Sequence, residues 1–136
     1  YAVQPGDDTL LHTFDWYANE VYLDCVVGRP DEQLGVSVVR FGSWPRGRRA
    51  TADQMALAFY FRGVLVRQYS TLEIAGSPEN VARSVSHYTV IRRIDGYREQ
   101  RGNFKTFEVL TTDGRIVTFD PTTGAILSTR KPTPSP

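Results

Sequence analysis

Two histidines, His12 and His87, set the limits on catalysis in this chain of 136 residues. A nucleophilic triad could combine Ser84 or Ser86 with His87 and Asp15 or Asp24. Neighbouring residues of a strand point to opposite faces, so neither serine is expected to meet His87. No Gly-x-Ser-x-Gly elbow is present to expose a serine. His12 and Asp15 are three apart in a β-rich stretch, and no Cys or His pair has metal-ligand spacing. Asp7, Asp8 and Asp15 lack the loop pattern of a calcium site. Glu20 and Asp24 share a strand face with Tyr22, which reads as a solvated outer face, and no glycine-rich phosphate loop occurs. No catalytic residue, metal ligand or cofactor site is therefore assigned. Cys25, the only cysteine, lies in Val-Tyr-Leu-Asp-Cys-Val-Val and reads as a small hydrophobe in a buried strand.

The loop Gly42–Arg49 is the stronger candidate, and its chemistry is recognition. It holds Trp44, Pro45, Arg46, Arg48 and Arg49 where a short polar connection would suffice. Trp and Arg combine large contact area with directional hydrogen bonding or charge, and both are enriched in interface hot spots. Arg92 and Arg93, with Arg98 and Arg101 around Ile94-Asp-Gly-Tyr97, would extend a basic surface if folding placed them beside that loop.

Charge is unevenly spread although the net value is +1: residues 1–39 hold seven acids and one base, residues 40–136 eight acids and fifteen bases. The two halves are expected to neutralise each other, or to present an acidic and a basic face to different partners. The low net charge and the absence of an aromatic-basic fingerprint speak against nucleic acid. An arginine bias, 14 Arg against 2 Lys, reflects coding composition more than function. No apolar run approaches the ~20 residues of a membrane-spanning helix.

The elements that must position these residues are strands. Leu10–Tyr17, Glu20–Val27 and Gly35–Phe41 are β-rich, with Val21, Leu23 and Cys25 on one face of the second and a polar loop at 28–33. Gln54–Phe61 and Val64–Ser70 flank Arg62-Gly63, a two-residue hairpin turn. Ser77-Pro78-Glu79-Asn80 has the form of a helix start, predicting one short helix near 77–83 followed by a strand. Asp113-Gly114 and Asp120–Gly124 separate three β runs of a closing meander. The expected fold is all-β, mainly antiparallel, with eight or nine strands arranged as a sandwich, a barrel or a twisted meander. Residues 1–130 read as one domain, and 131–136 as a Pro-rich tail or linker.

Thr112–Leu127, with its Asp-x-x-Thr-Gly turn, resembles the strand-turn-strand unit of bacterial β-propeller and pyrroloquinoline-quinone-type repeats. Phe59–Ile74, followed by Ser84–Tyr88, looks like uncharacterised exported bacterial β-meander proteins. A propeller repeats its unit every ~40–50 residues, whereas here it does not recur. The resemblance implies an extracytoplasmic bacterial β protein and transfers no functional residue. A chain beginning at Tyr1 without methionine fits a removed signal peptide or a trimmed terminus, hence a periplasmic or extracellular location. The expectation is a non-catalytic interaction module or accessory subunit of a larger complex, with protein partners and contact with an anionic membrane surface as a further option. The alternative is a small-ligand binder or enzyme with its site inside a barrel.

Overall fold

Alternation of apolar and polar residues, interrupted by turn formers, gives this chain two four-stranded antiparallel sheets. The computed structural model describes residues 2–3, 8–9, 14, 20–28, 34–42, 45–100 and 104–132. Its elements are β1 (Ala2–Val3), β2 (Asp8–Thr9), β3 (Glu20–Val27), β4 (Leu34–Phe41), β5 (Met55–Phe61), β6 (Val64–Ser70), α1 (Thr71–Ala75), β7 (Ala82–Arg83), β8 (Tyr88–Thr89), β9 (Ile91–Glu99), β10 (Lys105–Thr111), β11 (Ile116–Phe119) and β12 (Ile126–Arg130). One sheet has the order β3-β4-β5-β6 and the other β12-β11-β10-β9, while β1-β2 and β7-β8 are two-stranded ribbons. The all-β expectation holds. The expected strand over 10–17, apart from Phe14, the loop residues 29–33 after β3 and the end of the tail lie outside the described residues.

The two sheets pack face to face as a sandwich, and aromatic rings fill the space between them. Phe107 of β10 contacts the rings of Tyr22 (5.8 Å), Phe41 (6.1 Å), Phe59 (6.1 Å) and Tyr97 (5.0 Å). Phe119 of β11 meets Phe59 at 4.9 Å and Tyr69 at 5.4 Å. Edge-to-face pairs of this kind add stability beyond the area they bury. Both flanks are tied: Lys105 Nζ lies 2.6 Å from the Asp24 carboxylate at one, and the Tyr69 hydroxyl donates to the Gly124 carbonyl at 2.6 Å at the other. No closed barrel forms among the described residues, and Phe59, Tyr69, Phe107 and Phe119 are buried in one core cluster between the sheets.

Three of the expected turns are present. Arg62 (φ 53°) and Gly63 (φ 82°) both lie in the left-handed region, the requirement of a type I′ hairpin. Gly114 and Gly124 also take positive φ. At the last turn, the Asp120 carboxylate accepts from the Thr122 amide at 2.9 Å.

The helix is not at 77–83. It spans Thr71–Ala75, where Ser70 and Glu73 form a reciprocal capping box, and Gly76 (φ 81°) ends it in the left-handed conformation. Pro78 follows that glycine as a stop signal, so the motif read as a start closes the preceding helix. Asn80 Nδ2 turns back to the Ala75 carbonyl at 2.7 Å.

The face of β3 is also reversed. Tyr22 pairs in register with Val39 and points into the core, leaving Val21 (39% exposed), Leu23 (68%) and Cys25 on the outside. The inner side of an edge strand needs a side chain long enough to reach Phe107, and tyrosine supplies it.

Candidate docking site

The loop after β4 is held by a second segment distant in sequence. Tyr88 N donates to the Pro45 carbonyl and Gly47 N to the Ser86 carbonyl, each at 3.0 Å, and Arg46 bridges His87 in antiparallel fashion. Gly47 (φ 113°) takes a conformation open to glycine, which lets the chain turn past this bridge. Beyond it, Ala50 is buried and donates to the Pro78 carbonyl at 2.9 Å. The partner segment is anchored too, because buried Tyr88 hydrogen-bonds through its hydroxyl with Thr71 at 2.9 Å and with Gln54. A basic loop is thereby mounted on the core by main-chain bonds.

This mounting brings two guanidinium groups, those of Arg49 and Arg83, onto one carboxylate, with Arg46 and Arg48 on the same loop. Arg49 Nε lies 3.0 Å from one Glu79 oxygen and Arg83 Nη2 lies 2.9 Å from the other. Arg83 Nε also donates to the Arg48 carbonyl at 2.9 Å. Among the described residues, Arg46 and Arg48 make no ion pair, and both are exposed. The acidic N-terminal third does not neutralise this group in any described contact; the acid that does is Glu79.

Pro45 joins the cluster to a cleft of about 310 Å³ at the end of the sandwich. Pro45, Arg92 and Arg93 line it together with the apolar walls of Phe41, Ile91 and Ile94. Pro45 of the first basic stretch and Arg92 and Arg93 of the second are therefore brought to one cleft. Arg93 is engaged by Asp95 at 2.7 Å, whereas Arg92 is exposed and forms no ion pair among the described residues. Of the seven residues predicted to bind a partner, Trp44 alone lies outside the described residues, between Gly42 and Pro45, which both line the cleft.

Ser86 and His87 do meet, contrary to the strand-alternation expectation. Ser84 N donates to the His87 carbonyl at 2.9 Å, so these residues form the tight turn between β7 and β8. In a turn neighbouring side chains can converge, and Ser86 Oγ stands 2.8 Å from His87 Nδ1. No carboxylate hydrogen-bonds His87 among the described residues, and Asp24 is engaged by Lys105. Among the described residues the pair lacks the orienting third group of a triad, and Asp15 lies outside them. Among the described residues no group of three or more His, Cys, Asp or Glu side chains could hold a metal ion.

Arg83 and Glu79 escaped sequence reasoning. Their spacing of four suggests a mutual ion pair, but nothing local places Arg83 against Arg48, thirty-five positions away. No protein-family model, curated protein or solved structure matches this chain, so its geometry carries the functional argument.

Proposed function

We propose that this protein is a non-catalytic interaction module that docks an acidic surface of a protein partner through Arg46, Arg48, Arg49 and Arg83. The observation that carries this reading is the main-chain mounting of a loop bearing Arg46, Arg48 and Arg49, with Arg83 bonded to the Arg48 carbonyl and Glu79, shared by Arg49 and Arg83, as its counter-ion among the described residues. Gathering like charges opposes folding and has no benefit to the isolated domain. Facing an acidic surface, the same arrangement gives bidentate donors whose backbone is already ordered, which lowers the entropy lost on binding. Arg92 adds a further cation at the cleft.

Exposed strand edges support the same reading. Val64 (63% exposed) and Leu65 (48%) on β6, and Leu127 (55%) on β12, project from strands at the ends of their sheets. Such edges offer unpaired backbone groups to another chain. The test is co-purification of the tagged protein from its native source, compared with an Arg46→Glu, Arg48→Glu double variant. A stoichiometric partner that the double variant loses is expected. Equal retention by the two proteins would overturn the proposal.

A further inference from the structure

We infer that the cleft beside Pro45 is a socket for one apolar side chain of an acidic peptide segment, whose carboxylates lie on the neighbouring arginines. The inference rests on the docking proposal and names the chemistry of the partner. Three features of the cleft point to this occupant. Its volume, about 310 Å³, is that of roughly ten water molecules. Its walls include Tyr22 and Phe41 from one sheet and Ile91 and Ile94 from the other, so an apolar group that enters displaces the water lying against these side chains. Its rim continues through Pro45 into Arg46 and the cluster around Glu79, an excess of positive charge that complements acidic residues flanking the apolar one.

The cleft also has a polarity. Glu20, on the β3 wall, accepts a hydrogen bond from the Tyr22 hydroxyl at 2.7 Å and repels a carboxylate at that end. Arg92, from β9, stands on the same cleft without an ion partner among the described residues, while Arg93 is taken by Asp95. An acidic segment therefore runs from the cleft toward Arg46 and Arg48, away from Glu20. The cleft thus combines apolar walls with the polar side chains of Glu20, Thr71, Thr89, Arg92 and Arg93.

The experiment uses two fluorescein-labelled hexapeptide amides, one of four glutamates followed by two leucines and one with alanines replacing the leucines. Anisotropy titrations are run at low and high salt on the whole chain. The leucine peptide is expected to bind about tenfold tighter, the effect of burying one such side chain. It should shift the amide resonances of Gly42, Ala56 and 90–94. Thr89→Trp, which fills the cleft, should weaken the leucine peptide alone, and Arg48→Glu should weaken both. Arg92→Glu, at an exposed position, tests the rim should Thr89→Trp fail to fold. Equal affinity of the two peptides, with shifts confined to 45–50 and 83–88, overturns the socket and leaves the docking proposal standing. Binding of neither peptide, or of anionic lipid vesicles alone, also overturns it.

Discussion

Arg83 Nε donates to the Arg48 carbonyl at 2.9 Å while Arg83 Nη2 reaches the Glu79 carboxylate at the same distance. One side chain thus fixes the backbone of the basic loop and shares its counter-ion with Arg49. Replacing Arg83 by alanine removes both contacts without touching the core. Because the pair is largely exposed, thermal stability should change by less than about 0.5 kcal/mol. Loss of the loop mounting should weaken partner binding roughly tenfold by the scale of a hydrogen bond to a charged group. Calorimetric melting and a pull-down on the same preparation separate the two effects.

Asp113 and Arg115 join the closing meander to the helix. Arg115 Nη2 donates to the carbonyls of Ile74 at 2.7 Å and Ala75 at 3.2 Å, placing a cation at the C-terminus of α1. Partial burial opposes ionisation of Asp113, but hydrogen bonds from Arg115, Thr111 and Asn80 and the charge of Arg115 outweigh it and hold the carboxyl well below the usual range. A folded-state pKa below the unfolded one gives stability that is present above about pH 4 and lost as pH falls further. Wild-type melting temperature should therefore drop across the acidic range, and Asp113→Asn should flatten that limb. Arg115→Ala should cost about 2 kcal/mol in urea unfolding.

Tyr97 is the alkaline counterpart. Burial pushes its hydroxyl well above the ordinary tyrosine range, although its hydrogen bond with Ser37 pulls the other way. The hydroxyl also donates to the carbonyls of Ser37 at 3.1 Å and Tyr22 at 3.3 Å, bridging the two sheets. The unfolded chain loses this proton first, so stability should fall as pH rises above about 10. Tyr97→Phe should remove part of that dependence and cost about 1 kcal/mol at neutral pH. Denaturant titrations from neutral to alkaline pH check both parts.

Cys25 is exposed on the outer face of β3. It should react stoichiometrically with a water-soluble disulfide reagent in the native state, without denaturant. Cys25→Ser should shift stability by no more than about 0.5 kcal/mol, as expected of a surface position. Slow labelling that accelerates only on unfolding would contradict this placement.

The outer face of β3 also shows where sequence reasoning failed. Alternation correctly separated Val21, Leu23 and Cys25 from Glu20, Tyr22 and Asp24, yet it carries no sign for which set faces in. Hydrophobicity favoured the valine-leucine-cysteine set. The register of Tyr22 with Val39 and the ring of Phe107 decided otherwise, with Asp24 neutralised by Lys105 from the opposite sheet. The candidate loop was legible as a basic cluster, because its composition departs from that of a plain connection. Its ordering was not, because Gly47 and Ser86 are joined only by the fold.

The chain by itself determined strands β3 to β6 and β10 to β12 and the turns at Arg62-Gly63, Asp113-Gly114 and Asp120–Gly124. These depend on alternation and on backbone angles that a few adjacent residues dictate. Tertiary structure alone decided that the sheets form a sandwich, that Ser86 touches His87, and that Arg83 holds the Arg48 carbonyl while sharing Glu79 with Arg49. Those contacts depend on which distant segments share a register. That choice is made by the packing of aromatic rings between the sheets, a property that no local window of sequence contains.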